Sequence, residues 1–193
     1  MSPPRLVLAS ASPRRREILT ALGIPFEVLV PRVEEVSDGP PAEAVIENAR
    51  RKARAGASLA PDALALGADT EVVLDGRTLG KPGDEAAARE RLEALSGRTH
   101  EVLSGLALVE PGGGERTGLE RSLVTFRTLD PETLELYLAS GEWRDRAGGY
   151  AIQGLGSILI ARLEGDFSNV VGLPVGALLG MAPELSPNPK AKN

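Results

Sequence analysis

Short apolar runs alternate with helix-length segments along the whole chain, and that rhythm narrows the architectures open to it more than any other property. "RLVLAS" from Arg5 reads as a short buried strand, and Ser12 and Pro13 then open a helix whose apolar Ile18, Leu19 and Leu22 stop at Gly23. "IPFEVLV" starts a second strand. "PPAEAVIENARRKARAGA" is a helix with Val45, Ala49, Ala53 and Ala57 on one face, and "ALALGADTEVVLDGRTLG" gives a strand and hairpin whose Asp75-Gly76 pair suits a type I′ turn. A helix from Asp84 to Leu95 ends at Gly97, and "THEVLSGLALVE" and "ERSLVTFRTL" alternate as antiparallel strands around "PGGGER". Asp130 and Pro131 open a helix to Ala139, "GSILIARLEG" is a further strand and "LPVGALLGMA" the final helix. The expected fold is α/β, a mixed twisted β-sheet flanked by helices. It forms one domain over residues 1–182, with room for two lobes around a cleft. The tail "PELSPNPKAKN", residues 183–193, is too polar and Pro-rich to bury anything and is expected to be flexible.

Composition excludes several functions. There is no cysteine and one histidine, His100, so thiolate nucleophiles, disulfides and Cys-type or His-type metal centres drop out. The net charge of −5 is unevenly spread, with residues 1–60 at +2 and residues 61–193 at −7. A general nucleic-acid binder does not fit that balance. The apolar part of "RLVLASAS" is too short for a signal peptide, and no stretch is long enough to span a membrane. A cytoplasmic location and no membrane partner are expected. Small homodimers being common, a homodimer is the prior for assembly.

Arg14, Arg15 and Arg16 stand in the opening turn of the first helix, where a capping box would place Glu or Gln at position 15. That turn is already positive, so each cation costs a few tenths of a kcal/mol, up to about 1. Guanidinium forks beside free backbone N–H groups, in a turn lined by Ser10, Ala11 and Ser12, suit a phosphate site; a solvated charged helix start is the plainer reading, and a structural carboxylate such as Glu34 or Glu35 is the alternative anion. Lys52 falls about 20° from Val45 at 100° per residue, beside the apolar stripe, and so either snorkels to the rim or enters a cleft. Asp69 follows a strongly apolar run and is expected at a strand end, where ligands collect in open α/β sheets. There it would hold Mg²⁺ or Mn²⁺, or take a proton from water; a turn aspartate is the plainer reading. Lys81 in "TLGKP" and Gln153 in the glycine-rich "GGYAIQGLG" are weaker signals. No Walker-type phosphate loop and no nucleophile–histidine pair is present.

Taken in order, "SASPRR", Lys52 with Ala53, "GADT", "GKP", "SGRTHEV", "GYAIQG" and "NVVGLP" resemble the Maf family of nucleoside triphosphate pyrophosphatases, from about Leu8 to Leu179. The resemblance implies an ITPase-like sheet with a nucleotide cleft, a divalent cation, and hydrolysis of a nucleoside triphosphate to monophosphate and pyrophosphate, an activity linked to cell division. It makes Asp69 the proton acceptor, with Arg14, Arg15, Lys52 and Lys81 on the triphosphate and Ser10 and Ser12 lining the turn. Glu34, with Glu35 adjacent, corresponds to an acidic residue near the metal. Thr70 and Gln153, with Arg14, match the branch acting on dTTP and UTP. Asp166 and Phe167 depart from the family's small residue and Tyr. A non-catalytic nucleotide-sensing regulator of septum formation and a purine-directed pyrophosphatase are the alternative readings.

Overall fold

The computed structural model describes residues 4–186. The elements in order are β1 (Leu6–Ala9), α1 (Pro13–Ala21), β2 (Glu27–Leu29), α2 (Pro41–Leu59), β3 (Leu64–Leu74), β4 (Arg77–Thr78) and α3 (Glu85–Leu95). They continue as β5 (Thr99–Val109), β6 (Glu115–Phe126), α4 (Pro131–Ser140), β7 (Ile160–Glu164), α5 (Phe167–Val171) and α6 (Val175–Met181), with short 3₁₀ segments in the connections. The strands form one mixed seven-stranded sheet in the order β2-β1-β3-β5-β6-β7, with β4 folded back on β3. β1 is parallel to β2 and β3; the rest is antiparallel. Asp75 and Gly76 both have positive φ, as the type I′ hairpin requires.

The two faces of the sheet are covered differently. α2 packs on one face through small residues, because β3 and β5 offer it glycines: a Cβ on Gly67 would lie 2.1 Å from the Ala49 carbonyl oxygen, and one on Gly105 2.2 Å from that of Val45. The helix therefore sits close enough for short polar side chains to reach β3. The other face carries two apolar clusters, one around Leu6, Leu8, Leu66, Leu106 and Leu178, the other around Val72, Leu92, Phe126 and Tyr137. Between them runs a polar seam in which Ser104, Ser122 and Asn169 are fully buried or nearly so. Thr70 Oγ1 lies 2.8 Å from Ser104 Oγ, and Asn169 donates to Ser122 Oγ at 3.0 Å.

The start of the C-terminal tail departs from expectation. Residues 183–185 form a 3₁₀ turn that places Leu185, 3% exposed, among the first cluster, because one leucine in reach of an open apolar surface outweighs its polar neighbours. The remainder of the tail, 187–193, lies outside the described residues. α5 and the 3₁₀ turn over Gly154–Leu159 were not anticipated, and β7 starts later than the apolar run suggested.

Candidate active site

The short β1 creates the site. β3 pairs with β1 only through Leu66, and with β4 only from Val73, so one edge of β3 from Gly67 to Glu71 carries no strand partner. Asp69 is therefore not at a strand end as expected. It lies mid-strand, paired on its other side with Gly105, but the early end of β1 gives it the open surroundings of a strand end. A cleft of about 650 Å³ opens along this edge.

Arg15 fills part of the missing strand. Its guanidinium turns inward, 8% exposed, and donates to the Ala68 carbonyl at 2.8 Å, Ser10 Oγ at 2.9 Å, the Gly172 carbonyl at 2.9 Å and Thr70 Oγ1 at 3.2 Å. Burial lowers its pKa to about 10, against the pull of Asp69, so it stays a cation at neutral pH. Most of its donors are spent on the protein, which makes it part of the cleft floor. Arg14 lines the cleft with one bond to the Asp145 carbonyl at 3.2 Å; burial, then the nearby Arg146, lowers its pKa. Arg16 points outward and is not part of the cleft. Neither cleft arginine pairs with Glu34 or Glu35. Ser12 holds the N-cap position of α1 without a side-chain cap bond, and its N–H donates to Ser10 Oγ at 3.2 Å.

α2 supplies the opposite wall. Lys52 points into the cleft, its side chain 13% exposed, and donates to Asp69 Oδ1 at 2.7 Å and to Glu35 Oε1 at 2.6 Å. One turn earlier, buried Asn48 donates to Asp69 Oδ2 at 3.0 Å. Both carboxylate oxygens of Asp69 are thus held from one helix. Glu71, two residues on and on the same strand face, lines the cleft, and its Oε2 is buried without a hydrogen-bond partner among the described residues. Its pKa is raised to about 7 by burial first and then by Asp69 and Glu35, while Lys81 and Lys52 pull it down. Lys81 and Arg32 line the rim, both exposed.

The far wall comes from the segment 145–153. Tyr137 Oη accepts from the Ala151 N–H at 3.0 Å, and the Glu142 carboxylate accepts from the N–H groups of Leu155 and Gly156 at 3.0 and 3.1 Å. These bonds hold the chain that presents Gln153, whose side chain is exposed at the cleft. His100 is a buried core residue, hydrogen-bonded to Tyr150 Oη at 2.8 Å, and burial lowers its pKa to about 4.

The description "Maf-like protein" matches residues 5–185, nearly the whole chain. The chain belongs to the Maf family. Among Maf relatives, a dTTP/UTP pyrophosphatase of Moorella thermoacetica is 53% identical, covering 89% of this chain and 90% of its own. Others of the same description, from Deinococcus radiodurans and Symbiobacterium thermophilum, are 48% and 51% identical, over 91% and 89% of this chain and 90% and 89% of their own. A solved dITP/XTP pyrophosphatase from Mycobacterium abscessus aligns with a TM-score of 0.45 at 24% identity, over 65% of this chain and 75% of its own, a likeness too loose to argue from.

Of the residues the Maf resemblance singled out, Ser10, Ser12, Arg14, Arg15, Lys52, Asp69, Thr70, Lys81 and Gln153 all line the one cleft. Glu34 does not: its side chain is exposed away from the cleft and its carbonyl accepts from Arg51 at 2.9 Å, while Glu35 turns in toward Lys52. Asp166 is an N-cap, accepting from Ser168 N–H at 2.7 Å, and neither it nor Phe167 lines the cleft. Asn48 and Glu71 were missed. Asn48 had a signal, since a polar residue four before Lys52 shares its helix face. Glu71 had the alternation that placed it beside Asp69.

The residues present suit a divalent cation of the hard, oxygen-seeking kind. Glu35, Asp69 and Glu71 present only carboxylate oxygens to the cleft, and Glu71 Oε2 is a buried atom in want of a partner. Among the described residues no three such side chains form a ready cage. Mg²⁺ is characteristically bound by one or two carboxylates with phosphates and water completing the shell, which is what this set can supply.

Proposed function

We propose that this protein hydrolyses dTTP and UTP to the nucleoside monophosphate and pyrophosphate. The observation that carries the reading is Asp69 on the open edge of β3, bracketed by Lys52 and Asn48, beside cations whose charge exceeds what the protein pairs: Arg14, Lys81 and Arg32. A triphosphate is the anion that satisfies them. Asp69 takes a proton from a water that attacks the α-phosphorus; the new P–O bond stays with the monophosphate as the α–β bridge breaks and pyrophosphate leaves. Arg14, Lys52 and Lys81 hold the β- and γ-phosphates. A divalent cation, when bound, spreads the charge developing on the phosphate oxygens. Glu35, Asp69 and Glu71 are the side chains that would hold it.

The pyrimidine preference rests on Thr70, Gln153 and Arg14 and on the description shared by the relatives. Gln153 brings a donor and an acceptor in one amide, the complement of the alternating edge of uracil or thymine.

A panel of nucleoside triphosphates with Mg²⁺ or Mn²⁺ tests this, with monophosphate plus pyrophosphate resolved from diphosphate plus phosphate. The expected result is monophosphate and pyrophosphate from dTTP and UTP with little from purine nucleotides. Preferred purine turnover would move the assignment to a purine-directed enzyme. Binding without turnover of any nucleotide would make it a sensor.

A further inference from the structure

α2 reads the segment after β2 at three points in succession. Arg51 donates to the Glu34 carbonyl at 2.9 Å, Lys52 to the Glu35 carboxylate at 2.6 Å, and Asn48 takes both backbone groups of Val36. The last is the most specific. The Val36 N–H donates to Asn48 Oδ1 at 2.7 Å, and Asn48 Nδ2 donates to the Val36 carbonyl at 3.0 Å and to Asp69 Oδ2 at 3.0 Å. Both donors of one amide are spent, one on the segment and one on the carboxylate. The amide has only one workable orientation, because turning it over would set its oxygen against the Val36 carbonyl and the Asp69 carboxylate together. Asn48 is 4% exposed and does not line the cleft, so it reaches no bound ligand itself.

We infer that Asn48 is a positioning residue: its amide fixes the orientation of the Asp69 carboxylate and locks the segment bearing Arg32 and Glu35 in register with it. The inference rests on the hydrolytic reading of the cleft. Lys52 alone would leave Asp69 free to turn about the Lys52 bond, since an ammonium is a point-like donor that tolerates many approach directions. A second donor on the other oxygen, from a side chain anchored at two backbone atoms, removes that freedom. Rate is sensitive to such placement, a misplacement of about 1 Å being worth about 100-fold. Ground-state binding of the triphosphate is carried mainly by Arg14 and Lys81, which stand outside the segment that Asn48 holds, and exposed Arg32 on that segment accounts for only a small change in affinity.

The test compares the parent with Asn48→Leu, close in size and compatible with the helix, and with Asn48→Asp, which keeps the acceptor for the Val36 N–H while removing the donors and facing Asp69 with a like charge. Three quantities are read: kcat on dTTP, Kd of a non-hydrolysable dTTP analogue by calorimetry, and hydrogen-exchange protection of the Val36 amide. The expected result is a fall in kcat of about 10- to 100-fold in both variants with Kd within about threefold. Val36 protection should be lost in Asn48→Leu and largely kept in Asn48→Asp. Should Asn48→Leu fail to fold, Asn48→Asp carries the comparison. Loss of Val36 protection with kcat intact would reduce Asn48 to a structural staple and overturn the inference, as would kcat and affinity falling in parallel. A parent that turns over no nucleotide overturns the hydrolytic reading itself, and this role with it, and is told apart by the unsubstituted protein alone.

Discussion

Asp69 is the residue on which the chemistry turns, and its surroundings set what its replacement should do. Asp69→Asn keeps the size and the bond from Lys52 but cannot accept a proton from water, so kcat should fall by at least about 100-fold while the Kd of a triphosphate analogue changes far less. Steady-state kinetics beside calorimetry measures both. The pairing that holds Asp69 was half legible in the sequence: helical geometry turned Lys52 inward, but whether it snorkelled or entered a cleft depended on how closely α2 approaches the sheet. How Arg15 is used depends on the same kind of information. A guanidinium at a helix start looks like a ligand for an incoming anion, and only the early end of β1 shows the unpaired Ala68 carbonyl that claims it. His100 belongs to stability. Burial lowers its pKa in the fold from 6.5 to about 4, so between those values the unfolded chain binds more protons than the native one, and stability rises with pH. The parent should lose up to about 3 kcal/mol relative to His100→Phe as pH falls from 6.5 to 4, with no relative change above 7. Thermal denaturation of both proteins across that range reads the difference.

At the scale of elements, the approach of α2 to β3 and β5 is the feature that brings Lys52 and Asn48 to Asp69. Gly67→Ala would drive a Cβ to 2.1 Å from the Ala49 carbonyl, so the helix must move; a loss of about 1–3 kcal/mol or more is expected, with reduced turnover in whatever remains folded. Gly83→Ala, with nothing within 4 Å of the added carbon and no positive φ to strain, should leave both stability and turnover near the parent's. Urea denaturation of the pair separates a packing effect from a general intolerance of glycine replacement. Strands and helices with strong periodicity were readable in the chain, as were the Asp75-Gly76 turn and the antiparallel β5–β6 pair. The 3₁₀ turn over Gly154–Leu159 was not, because the distant Glu142 carboxylate holds the N–H groups of Leu155 and Gly156, and neither was α5, which Asp166 caps locally but whose five residues are too few to show a period and which Asn169 ties to Val102 and Ser122 across the polar seam. No local pattern records such partners.

For the whole molecule, the cleft is a consequence of unequal strand lengths. An eleven-residue β3 beside a four-residue β1 leaves an open edge, and the chain places its cations on α1, α2 and the loops that face it. That explains why residues as far apart in sequence as Ser10 and Gln153 meet there. No helix among the described residues is long and apolar enough to cross a membrane. Which phosphoanhydride bond breaks is read by hydrolysing dTTP in H₂¹⁸O. Water attacking the α-phosphorus predicts one ¹⁸O in the thymidine monophosphate and none in the pyrophosphate. Label in the pyrophosphate, or in orthophosphate released beside a diphosphate, would place the attack at another phosphorus and rule out Asp69-assisted attack at the α-phosphorus.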